Sequence, residues 1–265
     1  MIDDAILSTE SLSIQFGGLQ AVDNVSLGVR RGGVTSLIGP NGAGKTTVFN
    51  MVTGIYRPTG GRILFHSQQG GPSINITNMP VHKVCRLGIA RTFQNIRLFT
   101  DMPVLENVKV GLHARTFSSV LGAVATLPGT VREEMDVEAA AIHYLDFVGL
   151  MHSANDLADN LAYGDQRRLE IGRALATHPG LLLLDEPAAG MNPQETEALM
   201  ELIGKIRATG ITVFLIEHDV QLVMRISDYV YVVDHGELIA EGRPDQVQNN
   251  PKVIEAYLGV DEPVT

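Results

Sequence analysis

The sequence predicts an α/β fold with a helix-covered parallel sheet as its core, an antiparallel β flank ahead of it, and an inserted helical subdomain. Short apolar runs at 34–38, 181–184, 211–216 and 230–233 lack alternation and are separated by helical stretches, as expected of strands buried on both faces. Residues 6–16 and 25–29 alternate better and are spaced like antiparallel strands. Between Gln94 and Asn160 the strand signals fade. The α/β core is therefore assigned to 1–94 and 160–265 and the helical subdomain to 95–159, within one folded unit.

The helix boundaries follow from local chemistry. Pro103 suits a first helical position. Thr130-Val131-Arg132-Glu133 has the spacing of a capping box, opening a helix through Ala139, Ala140, Ala141 and Leu145 that stops near Gly149. Asn192 is suited to cap, and Pro193 to begin, a helix that Gly210 ends. Asp234-His235-Gly236 is expected to turn a hairpin. There is no internal repeat and no low-complexity tract.

Composition narrows the function classes. The chain has 265 residues, 45% of them hydrophobic, enough for one sizeable core. Thirty acidic residues against 20 Lys and Arg give a net charge of -10, without the basic footprint of a general nucleic-acid binder. The single cysteine, Cys85, allows no internal disulfide and is expected to pack as a small residue. Met1-Ile2-Asp3-Asp4 carries acid where a secretory signal would carry positive charge, so export is not expected. The longest uncharged stretch, 116–131, contains Gly122, Pro128 and Gly129 and falls short of the roughly 20 apolar residues a spanning helix needs. A loop or short helix is expected there, and any membrane role would be played from the surface.

Gly39-Pro40-Asn41-Gly42-Ala43-Gly44-Lys45-Thr46 fits the spacing G-x-x-x-x-G-K-[ST] between an apolar run and a helix-compatible segment. In that context glycines let successive N–H groups turn toward a phosphate, and the helix start adds positive potential. Lys45 would reach the β- and γ-phosphates of ATP, and the Thr46 hydroxyl would bind Mg²⁺. Thr47 follows in the same first turn. Asp185 and Glu186 end the apolar run 181–184, where an unpartnered carboxylate would be costly. Asp185 is suited to hold Mg²⁺, directly or through water, and Glu186 to polarise an attacking water.

These residues and their order make the chain resemble the ATP-binding cassettes of ABC transporters over nearly its whole length. The resemblance implies a P-loop NTPase (RecA-like) core. It also implies that Gln94 is a Q-loop residue sensing Mg²⁺ or water, and that His218 in Ile216-Glu217-His218-Asp219 holds the γ-phosphate in line. Phe16 resembles the aromatic on which the family stacks adenine. Leu161-Ala162-Tyr163-Gly164-Asp165-Gln166-Arg167-Arg168 is similar to the signature written LSGGQ, in which Gly164 permits close backbone approach and a helix running to Ala176 aims its amino terminus at the γ-phosphate. In that family two cassettes meet head to tail, so each ATP site exists only in the dimer. Three positions depart from the pattern: Ala162 replaces the signature serine, Asp165 its last glutamine, and Asn192 the usual aspartate after Ala188-Ala189-Gly190-Met191. They put cassette–cassette contacts in doubt and leave room for altered turnover.

Those departures, with 86–95 and the tail Val253-Ile254-Glu255-Ala256-Tyr257-Leu258-Gly259, resemble one branch, the ATP-binding subunits of high-affinity branched-chain amino-acid importers. The resemblance implies transmembrane permease subunits, an external substrate-binding protein engaged indirectly, and a second cassette that is another copy or a paralogue. It implies a peripheral position on the cytoplasmic face of the inner membrane and no nucleic-acid partner. No residue of the chain itself selects leucine, isoleucine or valine. Two other functions stand beside the import motor: a soluble ABC-type ATPase acting as a nucleic-acid switch, and a degenerate cassette that binds ATP only to regulate. The acidic charge and single cassette oppose the first; Lys45, Asp185, Glu186 and His218 oppose the second.

Overall fold

The computed structural model describes residues 4–67, 71–113 and 128–258. The expected loop or helix at 116–131 falls largely outside them, as do Met1-Ile2-Asp3 and Gly259. In chain order the first half holds β1 (Ala5–Phe16), β2 (Leu19–Val25), β3 (Gly28–Arg30), β4 (Val34–Ile38), α1 (Lys45–Val52), β5 (Gly60–Phe65) and β6 (Ile74–Asn75). Then come α2 (Val81–Arg86), β7 (Ile89–Arg91), α3 (Val104–His113), α4 (Pro128–Phe147) and α5 (Tyr163–Leu175). The remainder is β8 (Leu181–Asp185), α6 (Pro193–Ala208), β9 (Thr212–Ile216), α7 (Val220–Ile226), β10 (Tyr229–Asp234), β11 (Glu237–Gly242), α8 (Pro244–Gln248) and α9 (Pro251–Leu258). The chain divides into two compact units: Met1–Ile89 with Gly180–Pro187 and Ile203–Thr265, and Ala90–Pro179 with Ala188–Leu202.

The first unit contains the α/β core. Its larger sheet runs β11-β10-β4-β9-β8-β7, with β10, β4, β9 and β8 parallel and β11 antiparallel at the edge. Every residue of β4, β8 and β9 is buried, which explains runs too apolar to alternate. Phe49 of α1 packs on Phe214 of β9, ring centroids 4.8 Å apart. The β10–β11 connection is a two-residue turn with both φ positive, 47° at His235 and 83° at Gly236, the geometry that matches strand twist. A second sheet orders β2-β1-β5-β6, with β3 also paired to β1, all antiparallel.

The flank departs from expectation in detail. The stretch 25–29 is not one strand: β2 ends at Val25 and β3 starts at Gly28. The break lets Thr9 serve both sides, its hydroxyl donating to the Val25 carbonyl and accepting from the Leu27 N–H, each at 3.0 Å.

The second unit is mainly helical. Gly111 of α3 lies where an added Cβ would be 2.3 Å from the Arg173 carbonyl of α5, so the two backbones approach as closely as glycine allows. Asn107, fully buried, joins α3 to the preceding turn by accepting from the Phe99 N–H and donating to its carbonyl, both at 3.0 Å. The helix expected to open at Thr130 is already helical at Pro128, so Thr130 lies inside it and cannot be its cap. Pro103 precedes α3 by one residue, and its carbonyl accepts from the Asn107 N–H at 3.0 Å. Asn192 caps α6, its side-chain oxygen accepting from Gln194 N–H at 3.0 Å and Glu195 N–H at 2.9 Å.

Candidate nucleotide site

Adjacent parallel strands β4, β9 and β8 place their carboxyl ends side by side, where open α/β sheets gather ligand-binding groups. Gly39 follows β4, Asp185 ends β8 and Glu186 follows it, and Glu217 and His218 follow β9. All belong to the first unit.

The loop 39–44 is shaped by three glycines at positive φ: 154° at Gly39, 82° at Gly42 and 97° at Gly44. Two of them are forced by close packing. A Cβ on Gly39 would meet the Val233 carbonyl at 2.0 Å, and one on Gly44 the Ala21 carbonyl at 2.6 Å. The β1–β2 hairpin that carries Phe16 is thereby laid against the loop. Pro40, Asn41, Gly42 and Ala43 form the turn between them, closed by Ala43 N–H donating to the Pro40 carbonyl at 3.2 Å. The first helical hydrogen bond of α1 runs from Val48 N–H to the Gly44 carbonyl at 3.0 Å, so the amides of Lys45, Thr46 and Thr47 precede it and face the loop's anion-binding end.

Lys45 is almost fully buried, and its Nζ donates to the carbonyls of Gly39 at 2.7 Å and Pro40 at 2.8 Å. Burial pulls its ammonium below the ordinary lysine range, while the carboxylates of Glu186 and Asp185 push it back up. Lysine and both acids therefore share one electrostatic site. Glu186 has φ 45°, a left-handed backbone unusual for a side chain larger than asparagine. Its N–H still donates to the Ile216 carbonyl of β9 at 2.9 Å. The turn sets its Oε2 3.7 Å from His218 Nδ1, and the buried Glu217 Oε2 lies equally far on the same imidazole. Phe16 is half-exposed and meets Tyr56 edge-on, ring centroids 5.2 Å apart.

Thr46 and Asp185 offer hard oxygens, the ligand type that Mg²⁺ takes.

Gln94, Ala162 and Gly164 lie in the second unit. Gln94 sits exposed in the turn after β7. Ala162 is the N-cap residue of α5, has no side-chain cap, and accepts at its carbonyl from the amides of Asp165 and Gln166, both at 2.9 Å. Gly164 is buried, and an added Cβ would meet Glu195 Oε1 at 2.9 Å. The close approach it makes here is to Glu195. Asp165 pairs with Arg168.

Sequence reasoning did not single out Tyr56, Glu217, Arg167 or Glu170. The last two stand three apart on a helix, the spacing of an intrahelical ion pair, and that was the available signal.

Residues 22–189 match the family model described as ABC transporter. The chain belongs to the ABC transporter ATP-binding family. Its carboxyl-terminal residues 237–263 match a second model, branched-chain amino acid ATP-binding cassette transporter. The cassette is 48% identical over 255 residues to the high-affinity branched-chain amino acid transport ATP-binding protein LivG of Escherichia coli (strain K12), covering 96% of this chain and 98% of that protein. It is equally identical to BraF of Pseudomonas aeruginosa, a protein of the same description. A probable LivG of Archaeoglobus fulgidus is 38% identical over 260 residues, 97% of this chain and 96% of that one. Among solved structures, a nucleotide-free ABC cassette superposes with TM-score 0.82 at 36% identity, covering 97% of this chain and 100% of that one. The ADP conformation of an ABC transporter cassette gives the same score and identity, with 97% and 99% covered.

Proposed function

We propose that this cassette is the ATP-hydrolysing motor of an importer for branched-chain amino acids. The observation that carries this is the 48% identity to LivG across 96% of the chain, joined by the branched-chain model's match to the tail. No described helix is long and apolar enough to cross a membrane, so transport would require permease subunits, met at the cytoplasmic face of the inner membrane. A second cassette, identical or paralogous, would complete the site, and an external binding protein would deliver the substrate.

The geometry of the phosphate loop and of the strand ends supports the following roles. Lys45 and the first amides of α1 bind the β- and γ-phosphates. Phe16 offers an exposed ring for adenine. Thr46 and Asp185 would hold Mg²⁺, which would supply charge neutralisation on the phosphate oxygens. Glu186, fixed by its left-handed turn, accepts a hydrogen bond from the attacking water and polarises it. His218, with the Glu186 and Glu217 carboxylates each 3.7 Å from its Nδ1, donates to the γ-phosphate. With Ala162 in place of a hydroxyl, the signature contributes backbone N–H groups of the α5 start, around Gly164, to the nucleotide of the facing cassette.

The test is to purify the cassette from membranes with its bound partners, seal the complex in vesicles, and follow uptake of labelled leucine, isoleucine and valine. ATP-dependent accumulation is expected. Accumulation of none of the three would reject the substrate class, and accumulation without ATP hydrolysis would reject the motor.

A further inference from the structure

Arg167 and Glu170 of α5 form an ion pair at 3.0 Å that is closed to solvent, with side-chain exposures of 0% and 2%. Each partner also grips one loop. Arg167 Nη1 donates to the Phe93 carbonyl at 2.6 Å and Nη2 to the Gln94 carbonyl at 2.7 Å. Glu170 Oε1 accepts from the N–H groups of Phe93 and Arg97, both at 3.3 Å. Arg173, one turn on, donates to the Arg97 carbonyl. Burial pushes the Glu170 carboxyl above the ordinary range, opposed by Arg167 and then by the two amides. The segment 93–97 thus hangs from one polar face of α5.

The same guanidinium reaches the start of that helix. Nη2, already bonded to Gln94, also donates to the Tyr163 hydroxyl at 3.3 Å. One nitrogen therefore bridges the loop residue Gln94 and the residue between Ala162 and Gly164. Packing does not require this arrangement. Buried ion pairs are commonly no more stabilising than apolar residues of equal volume, and Arg167 Nε is buried without a hydrogen bond.

We propose that Arg167 and Glu170 are positioning residues that make the loop 93–97 and the signature turn 162–164 a single moving piece. A displacement applied to the loop by a membrane subunit is then delivered to the groups that face the second cassette's nucleotide. This rests on the roles given above to Gln94 and the signature.

The test compares the vesicle-embedded complex carrying wild type, Arg167→Lys, and the double variant Arg167→Leu with Glu170→Leu, which leaves no buried charge unpaired. Two quantities are read: the ratio of ATP turnover with the transported amino acid and its binding protein to turnover without them, and hydrogen exchange at the Phe93, Arg97, Asp165 and Gln166 amides. In the double variant the ratio falls roughly 3- to 30-fold and the four amides exchange about tenfold faster or more. Arg167→Lys, whose point charge cannot fork between two carbonyls, gives an intermediate loss and decides the matter if the double variant does not fold. A folded variant that keeps the ratio within about twofold overturns the proposal. If wild type itself hydrolyses no ATP, the motor function has failed instead. The exchange rates then judge the clamp alone, and unchanged Phe93 and Arg97 amides overturn it.

Discussion

A buried ammonium capped by two backbone carbonyls needs an anionic ligand or nearby carboxylates to be tolerated, and Lys45 sits in the field of both Glu186 and Asp185. Replacing Lys45 with Ala removes the charge-assisted contact to phosphate. ATP hydrolysis by the assembled complex is expected to fall at least about 100-fold, with the thermal melt showing a folded protein; near-normal turnover would reject the assigned phosphate site. Lys45, Asp185 and Glu186 stand out in the sequence because phosphate chemistry restricts residue type and spacing together, and His218 only through the family resemblance. Arg167 and Glu170 do not stand out. Three apart on a helix, two opposite charges read as a solvated pair, and only the return of the chain at Phe93 to Arg97 buries them. Tyr56 was missed for the same reason: its edge contact with Phe16 joins residues far apart in sequence.

At the scale of elements, strands buried on both faces were plain as unalternating apolar runs, and caps were readable where side-chain chemistry is local. Asn192 is the clearest case, since its side chain accepts from two amides of α6 while Glu195 Oε2 accepts from the Asn192 N–H at 2.9 Å. Asn192→Ala is expected to lower stability by about 1 kcal/mol, measured by urea unfolding of the isolated chain; an unchanged midpoint would contradict the capping assignment. The β2 strand escaped sequence reasoning because its pattern is broken. Gln20, Asp23 and Asn24 interrupt it, Asn24 adopts φ 52°, and its pairing with β1 shifts register twice. An irregular edge strand has no clean period of two.

Across the whole molecule, the candidate groups are shared between two compact units, with Phe16, the phosphate loop, Asp185, Glu186 and His218 in one and Gln94, Ala162 and Gly164 in the other. The order of motifs was legible in the sequence, but the unit to which α5 belongs was not, since its attachment to 93–97 depends on buried contacts. The proposed role of Glu186 as the base in ATP hydrolysis is tested most directly by steady-state ATP turnover of wild type against Glu186→Gln, with bound nucleotide and oligomeric state followed by gel filtration. Turnover should fall about 10²- to 10⁴-fold, while ATP binding persists and the variant accumulates as an ATP-bound dimer with itself or a paralogous cassette. A Glu186→Gln protein that hydrolyses ATP at the wild-type rate would contradict the role of Glu186 as base.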